Sequence, residues 1–294
     1  MELHQLDAYR RTVRTRSGEI SFIDMGTGPV ALFVHGIATN ALLWRNVIEA
    51  LAPRRRCIAL DLPLHGQTPA AAGQDLSLAA MASVLDDFCD ALGLSGIDLV
   101  ANDTGGAIAQ IFAARSAQRL ATLTLTNCDT SENLPPDAFK PVVELAVAGT
   151  LAPTAVELMR DLSAARDASF GTAYEHPERV DLEVVRAYLE PCVGTLERAR
   201  QFERLLVSLD PGDLKTIEPQ LRALTVPTLV VWGTGDENFD VSWAYWLRDT
   251  IPGVTRVVTL DGARLFFPEE RAAELVAPLE QHWAQAAGIQ RHAG

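Results

Sequence analysis

The sequence predicts an α/β fold in which a mostly parallel central sheet is flanked by helices and carries an inserted helical cap. Short apolar runs typical of buried strands alternate with stretches of helical spacing as far as Thr126. The alternation resumes only at Thr228, and the residues between these points have helical spacing. Proline interrupts regular structure near both ends of this insertion, at Leu134-Pro135-Pro136 and at Val226-Pro227.

Eight segments have the composition of strands. The first two lie on either side of Ser17-Gly18, a pair that favours a hairpin at one edge of the sheet. Later strands alternate with helices expected near 41–51, 77–92 and 105–116, an order that implies parallel pairing through right-handed crossovers. The predicted strands are 9–13, 19–23, 30–34, 57–60, 97–100, 122–126, 228–232 and 255–259.

A division into three segments follows from this pattern. We expect residues 1–131 and 225–294 to form one core domain and residues 132–224 to form the cap. A length of 294 residues suits a single core domain with an insertion. Hydrophobic residues make up 48% of the chain and charged residues 21%, so a sizeable core can form.

Charge and cysteine content weigh against several function classes. The formal net charge of −13 disfavours binding to nucleic acids and to anionic membranes. Four cysteines without a C-x-x-C pair predict neither a zinc site nor a disulfide framework, and we expect no metal or cofactor. Residues 1–17 lack the apolar region of a signal peptide, and no run approaches the ~18 apolar residues of a membrane span. We therefore predict a cytoplasmic protein, and the sequence leaves a homodimer open.

The segment Leu99-Val100-Ala101-Asn102-Asp103-Thr104-Gly105-Gly106-Ala107 has the context of a nucleophile elbow. It follows a predicted strand and opens a predicted helix, and Ala101 and Gly105 are small enough for the close packing of such a turn. Asp103 takes the nucleophile position, where the helix dipole stabilises its anion. Capping of the helix by Asp103 is the alternative.

A second segment, Val34-His35-Gly36-Ile37-Ala38-Thr39-Asn40, begins at the end of a predicted strand. Together with the elbow it resembles the α/β-hydrolase superfamily, within it the aspartate-nucleophile branch of haloalkane dehalogenases and epoxide hydrolases. The resemblance covers nearly the whole chain. It implies an α/β-hydrolase fold and an oxyanion hole formed by the backbone N–H groups of Ile37 and Thr104.

The resemblance also implies a catalytic acid after the seventh strand, where Asp236 matches best. Glu237 and Asp240 are nearby alternatives, and a surface turn rich in acids has the same composition. Some members of the family use an acid after the sixth strand, and the matching place here is near Asn127, with Asp129 close behind.

The catalytic histidine that the family places after the last strand is missing. In Gly262-Ala263-Arg264-Leu265-Phe266-Phe267-Pro268-Glu269-Glu270, Leu265 occupies the histidine position, and no histidine lies between His176 and His282. An aspartate nucleophile forms an ester, and a histidine normally activates the water that hydrolyses it. Without such a base the ester would persist.

Three solutions stay open. His176 in the cap or His35 beside the oxyanion loop could supply the base, although a solvent-exposed His176 would have no such role. Asp103 could instead act as a general base whose pKa is raised by burial under the cap. In the third solution the protein binds a ligand without chemistry.

Further side chains are candidates for the pocket. Arg264 could pair with Asp103 or Asp236, or lie on the surface. Tyr174 and Tyr188 of the cap could donate to an epoxide oxygen, or serve only in helix packing. The predicted substrate pocket comprises His35, Trp44, Asn102, Tyr174, His176, Arg264 and Leu265.

The sequence therefore predicts a hydrolase of a small, largely apolar organic molecule that acts through Asp103. Dehalogenases commonly carry tryptophan after the nucleophile and asparagine after the oxyanion His-Gly pair, whereas this chain has Thr104 and Ile37. Side-chain donors for a halide are thus absent from both positions. Epoxide-hydrolase-like chemistry is favoured over dehalogenation, with general-base chemistry at Asp103 or ligand binding alone as alternatives.

Overall fold

The structure, a computed structural model, describes residues 3–168 and 170–293. Eight strands form one sheet, and each overlaps one of the predicted strands. They are β1 (Arg10–Thr15), β2 (Gly18–Met25), β3 (Val30–Val34), β4 (Arg56–Leu60), β5 (Ile97–Asn102), β6 (Leu120–Thr126), β7 (Thr228–Gly233) and β8 (Val254–Leu260). Their spatial order is β1-β2-β4-β3-β5-β6-β7-β8.

The strand order determines where loops meet. Strands β3 to β8 pair in parallel, whereas β2 runs antiparallel to both β1 and β4. The connection after β3 leads to one side of the sheet and the connection after β5 leads to the other. In parallel sheets ligands bind beyond the carboxyl ends of the strands at such a switch point. The loop after β3 and the turn after β5 therefore lie side by side where a site is expected.

Helices cover the sheet on both sides in chain order. Helix α3 shows how local sequence determines them: the Ser77 hydroxyl accepts a hydrogen bond from Ala80 N–H at 3.3 Å at its start, and Gly93 ends it with φ 62°. The helices are α1 (Leu3–Leu6), α2 (Arg45–Leu51), α3 (Leu78–Leu92), α4 (Thr104–Ser116), α5 (Lys140–Val147), α6 (Leu151–Leu158), α7 (Leu162–Asp167), α8 (Leu182–Val193), α9 (Leu196–Val207), α10 (Pro211–Leu221), α11 (Ser242–Thr250), α12 (Phe267–Glu270) and α13 (Ala272–Ala293).

Helices α5 to α10 form the insertion between β6 and β7. The described residues of this segment form helices and turns, with one isolated bridge between Thr130 and Asn133. The insertion is tied to the core where Asn40 Nδ2 donates to Ala187 O at 2.8 Å. Its helical character is as expected, and the domain limits at residues 132 and 224 stay a prediction.

The core lies between the sheet and its helices. Strands β5 and β7 are buried along their whole length, as expected for parallel strands covered on both faces. Each large apolar side chain removed from water stabilises the fold by ~1.5–3 kcal/mol. No single helix in the described part of the chain is long and apolar enough to cross a membrane; Asp137–Val147 and Leu151–Leu158 reach that length and composition only as a pair bent by 109°.

Candidate active site

Asp103 lies on the sharp turn between β5 and α4, with φ 57° and ψ −139°. A positive φ is strained for a residue with a Cβ atom and persists only where its surroundings enforce it. Here Asp103 N–H donates to Asn127 O, and Gly106 N–H donates to Asp103 O, both at 2.8 Å. A side chain at Gly105 would overlap with the backbone of His35, so the turn also needs glycine there. The backbone thus holds Asp103 in one orientation.

The Asp103 side chain makes no capping hydrogen bond to the first turn of α4 and instead meets the loop after β3. Its Oδ2 accepts a hydrogen bond from Ile37 N–H at 2.9 Å, and the nearby Thr104 N–H also stabilises the carboxylate anion. A Cβ at Gly36 would overlap with this carboxylate, so the close approach requires glycine. If the other oxygen formed an ester, the same N–H groups would stabilise the charge that develops on Oδ2 during hydrolysis.

A cavity of about 300 Å³ opens between the core and the inserted helices, and Asp103 lines it. Its wall is largely apolar, which suits a small apolar ligand. Of the residues predicted for the site, Ile37, Asp103, Thr104 and Leu265 line the cavity. The apolar wall includes Leu134, Phe139, Val142, Leu151, Leu158, Met159, Phe170, Leu189, Val193, Phe202, Leu209, Phe239 and Phe266.

Asp129 is a second carboxyl group in the cavity wall. It is 1% exposed, its Oδ2 accepts from Thr104 Oγ1 at 2.7 Å, and its Oδ1 has no hydrogen-bond partner among the described residues. Burial raises the pKa of Asp129 to about 7. The sequence predicts Asp129 only as a neighbour of the position after the sixth strand, where some members of the family carry their catalytic acid. That position is the one feature of the sequence that could have singled it out.

The pKa of Asp103 is raised well above its usual range, first by burial and then by the charge of Asp129. The N–H groups of Thr104 and Ile37 oppose that shift because they stabilise the anion, and the charge of Asp236 adds to it. A carboxyl group of raised pKa next to a second one shares protons with it near neutral pH.

Asp236 lies behind the elbow rather than in the cavity wall. Its Oδ2 accepts from Asn127 Nδ2 at 2.7 Å and its Oδ1 accepts from Asn238 N–H at 2.9 Å. Burial raises the pKa of Asp236 to about 6. Of the two alternatives after the seventh strand, Glu237 lines the cavity, whereas Asp240 accepts from Ser242 N–H at 2.9 Å on the surface.

No histidine among the described residues lines the cavity. His35 is fully buried; its Nδ1 bonds Gly36 O at 2.7 Å and its Nε2 accepts from Leu62 N–H at 2.9 Å. Burial lowers its pKa to about 4. His176 is 44% exposed beside Glu175 on the surface of the insertion. Both rings are therefore unavailable to Asp103, and the hypothesis that one of them supplies the base is wrong for this arrangement.

Leu265, at the position of the missing histidine, is 5% exposed and lines the cavity. Its carbonyl accepts from Asn102 Nδ2 at 3.1 Å, which also donates to Thr126 Oγ1 at 3.0 Å. Asn102 thus fastens the loop after β8 to the elbow and does not reach the pocket. Trp44 packs against Phe33 in the core, with 5.2 Å between ring centroids, and is also absent from the cavity wall.

The two tyrosines predicted for the pocket belong to a different cluster. Tyr188 Oη donates to Glu269 Oε2 at 2.6 Å and Tyr174 Oη does so at 3.2 Å, while Arg45 pairs with the same carboxylate at 2.7 Å. Neither tyrosine lines the cavity, so both hydroxyls are committed to joining the insertion to the core. The expected contact with an epoxide oxygen does not occur in this arrangement.

Arg264 pairs with Glu237 at 2.8 Å and donates to Thr172 O at 2.9 Å. It therefore pairs with neither Asp103 nor Asp236, contrary to one of the expectations. Among the described residues, no group of three or more His, Cys, Asp or Glu side chains is arranged to hold a metal ion.

Comparison with known proteins agrees with this architecture. Residues 29–271 match the model of the α/β-hydrolase fold family. A haloalkane dehalogenase of Mesorhizobium japonicum is 41% identical over 105 residues, which are 35% of this chain and 34% of that protein. The chain thus spans about a third of that relative. A cis-3-alkyl-4-alkyloxetan-2-one decarboxylase of Shewanella oneidensis is 28% identical over 262 residues, 85% of this chain and 81% of that protein.

Solved structures show the same fold. A haloalkane dehalogenase from Bradyrhizobium elkani has a TM-score of 0.78 at 22% identity and covers 96% of this chain and 99% of that one. An epoxide hydrolase has a TM-score of 0.76 at 17% identity, covering 94% and 98%. The family match spans most of the chain. The chain belongs to the α/β-hydrolase fold family, within which it resembles the dehalogenase and epoxide hydrolase branch, and it is an enzyme of the hydrolase kind.

Proposed function

We propose that this enzyme hydrolyses a small, largely apolar electrophile through a covalent ester on Asp103, in the manner of an epoxide hydrolase rather than a dehalogenase. One observation carries the proposal: the Asp103 carboxylate lines an apolar cavity while Ile37 N–H holds its Oδ2 at 2.9 Å. One oxygen is thus fixed by the backbone, and the other can attack a carbon atom in the cavity. A substrate that fits about 300 Å³ is small.

The leaving group distinguishes an epoxide from a haloalkane. A departing halide needs donors, and the positions next to the nucleophile carry Thr104 and Ile37, whose side chains offer no N–H group. An epoxide oxygen needs a proton instead. Burial raises the pKa of Asp129, a second carboxyl group in the cavity wall, to about 7, so a proton is at hand near neutral pH.

A relative named as an oxetan-2-one decarboxylase acts on a strained four-membered ring by the words of its name. An epoxide is a strained three-membered ring, and both release strain when an aspartate opens them. Strained cyclic electrophiles are therefore the substrate class to examine first, and the β-lactone 4-methyloxetan-2-one is included in the test below.

General-base chemistry at Asp103 is the second candidate. The raised pKa of Asp103 and the lack of a histidine in the described cavity wall favour it, because a buried carboxylate of raised pKa is a stronger base. Such an enzyme would catalyse an elimination or an isomerisation without a covalent intermediate.

The test combines turnover with mass spectrometry of the intact protein and of its proteolytic peptides. Wild type and Asp103→Asn are incubated with styrene oxide, 4-methyloxetan-2-one, 4-nitrophenyl acetate and benzyl bromide. We expect products and a covalent adduct on the peptide that contains Asp103, and neither in Asp103→Asn. Turnover without any adduct, lost in Asp103→Asn, would favour the general base. Equal turnover in both proteins would refute a role for Asp103.

A further inference from the structure

We propose that Asp129 is a catalytic residue that carries the proton in both half-reactions, as acid while the ester on Asp103 forms and as base while it is hydrolysed. The inference rests on the proposed function and assigns to a carboxyl group the proton transfers that a histidine would perform. Asp129 is not the acid predicted from the sequence, which is Asp236.

The geometry of Thr104 carries the argument. Its N–H stabilises the neighbouring Asp103 anion while its Oγ1 donates to Asp129 Oδ2 at 2.7 Å, so one residue lies against both carboxyl groups at the same wall of the cavity. Asp129 Oδ1 is buried and has no hydrogen-bond partner among the described residues. A buried carboxyl oxygen without a partner is costly unless a ligand or water satisfies it. Asp129 itself lines the cavity, and we infer that substrate or water is the partner of this oxygen.

Alternative groups are accounted for. Asp236 is bonded through both oxygens and is absent from the cavity wall. His35 is saturated by backbone partners. Asp236 and Cys128 interact electrostatically with this pair of carboxyl groups, and burial raises the pKa of the Cys128 thiol far above neutrality. Glu237 also lines the cavity, but its side chain is 54% exposed and pairs with Arg264 at 2.8 Å. Among the described cavity residues, Asp129 is therefore the group suited to move a proton at Asp103.

The first half-reaction balances with one proton on the pair. Asp103 as carboxylate attacks an epoxide carbon through its free oxygen, the C–O bond of the ring breaks, and the alkoxide takes the proton of the Asp129 carboxyl group. The products are a hydroxyalkyl ester on Asp103 and an ionised Asp129. Esterification also removes the negative charge of Asp103, which makes the ionised state of Asp129 easier to hold.

The second half-reaction restores the enzyme. Asp129 takes a proton from water as the water oxygen attacks the ester carbonyl, and the charge on Oδ2 is stabilised by the N–H groups of Ile37 and Thr104. The tetrahedral intermediate expels the alkoxide, which takes the proton back from Asp129 and leaves as an alcohol. The new Asp103 carboxyl group then passes its proton to Asp129.

The test separates the two steps with two probes in the Asp129→Asn variant, which keeps an acceptor for Thr104 but cannot transfer a proton. Benzyl bromide is reactive enough to esterify Asp103 without an acid and without donors for the departing bromide, so only the second step depends on Asp129. We expect Asp129→Asn to accumulate a benzyl adduct on Asp103 that is hydrolysed ~10²–10⁴-fold more slowly than in wild type. Styrene oxide, which needs the acid as well, is expected to react slowly in both steps.

A pH profile distinguishes proton transfer from a structural role. Hydrolysis of the wild-type benzyl ester is expected to rise with pH up to about 7, and this rise is lost in Asp129→Asn. The control is Asp240→Asn, because Asp240 lies outside the cavity wall and an asparagine keeps its bond to Ser242 N–H; it should behave as wild type. If circular dichroism shows that Asp129→Asn does not fold, the variants Thr104→Val and Thr104→Ser replace it. Only Thr104→Val, which lacks the hydroxyl that donates to Asp129, should lose the rise of ester hydrolysis with pH.

The outcomes identify which claim fails. Equal ester hydrolysis in wild type and Asp129→Asn, with the same pH profile, overturns the inference and leaves Asp103 as nucleophile. The absence of any Asp103 adduct and of turnover in wild type with either probe overturns the proposed function, and the inference with it.

Discussion

The buried carboxyl group of Asp129 predicts a stability that depends on pH in a defined direction. Its pKa is about 7 in the folded protein against 3.8 for an ordinary aspartate. Between these values the folded chain holds a proton that the unfolded chain has lost, so the free energy of unfolding falls as pH rises. Each pH unit in this window costs about 1.4 kcal/mol. Between pH 5 and pH 8 the effect is confined to the two pH units below the folded pKa of about 7. The free energy of unfolding therefore falls by about 3 kcal/mol over this range.

Buried histidines change the free energy of unfolding with pH in the opposite direction, so their contribution must be separated from that of Asp129. Burial lowers the pKa of His35 to about 4 and that of His65 to about 3, so the unfolded chain binds protons there that the folded chain does not. Their contribution therefore rises with pH up to the ordinary histidine pKa of 6.5. The difference between wild type and Asp129→Asn at the same pH removes this contribution. Loss of the Asp129 charge also lowers the pKa of Asp103, which enlarges the difference in the same direction.

Urea unfolding followed by circular dichroism at pH 5 and pH 8 measures the effect. We expect the free energy of unfolding of wild type, relative to Asp129→Asn, to be about 3 kcal/mol higher at pH 5 than at pH 8. Asp240→Asn is the control, because the pKa of Asp240 is lowered and its titration lies below this range. The same pH dependence in wild type and Asp129→Asn would refute the burial of an uncompensated carboxyl group at Asp129.

Three further predictions follow from the contacts of the site. Gly36→Ala should displace the Asp103 carboxylate and lower the initial rate with styrene oxide by ~100-fold, and an unchanged rate would contradict the close approach of the loop. Leu265→His, made in the variant that accumulates the ester, should speed ester hydrolysis measured by mass spectrometry by ~10²–10⁴-fold, and no acceleration would show that the missing histidine is not the defect. Tyr188→Phe should lower the free energy of unfolding in urea by about 1–3 kcal/mol through loss of its 2.6 Å bond to Glu269 and leave kcat unchanged; a tenfold fall in kcat would place the hydroxyl in the site.

The fold could be predicted because its signals are local. A parallel strand covered on both faces requires a continuous apolar run, and a strand-turn-helix elbow requires small residues around its centre, so both appear in the sequence. Asp103 can be located for the same reason, because the elbow is a local turn of the backbone, whereas Ile37 and Thr104 follow only from the resemblance to the α/β-hydrolase superfamily.

The cavity wall could not be predicted because it depends on how the inserted helices pack on the core. Tyr174 and Tyr188 carry hydroxyls of the expected type, yet the position of Glu269 on the core draws both away from the cavity. The raised pKa of Asp129 arises from burial by segments distant in sequence. Similarly, Arg264 meets Glu237 rather than a catalytic carboxylate. The spacing of residues along the sequence does not show which side chains will meet where the inserted helices pack on the core.

A single turnover in water enriched in oxygen-18 tests the role of Asp103 most directly. Hydrolysis of an ester at its carbonyl carbon places one oxygen of water in the Asp103 carboxylate, so the account predicts label in the peptide that contains Asp103 and unlabelled alcohol product. Label found only in the product, with none in that peptide, would contradict nucleophilic attack by Asp103.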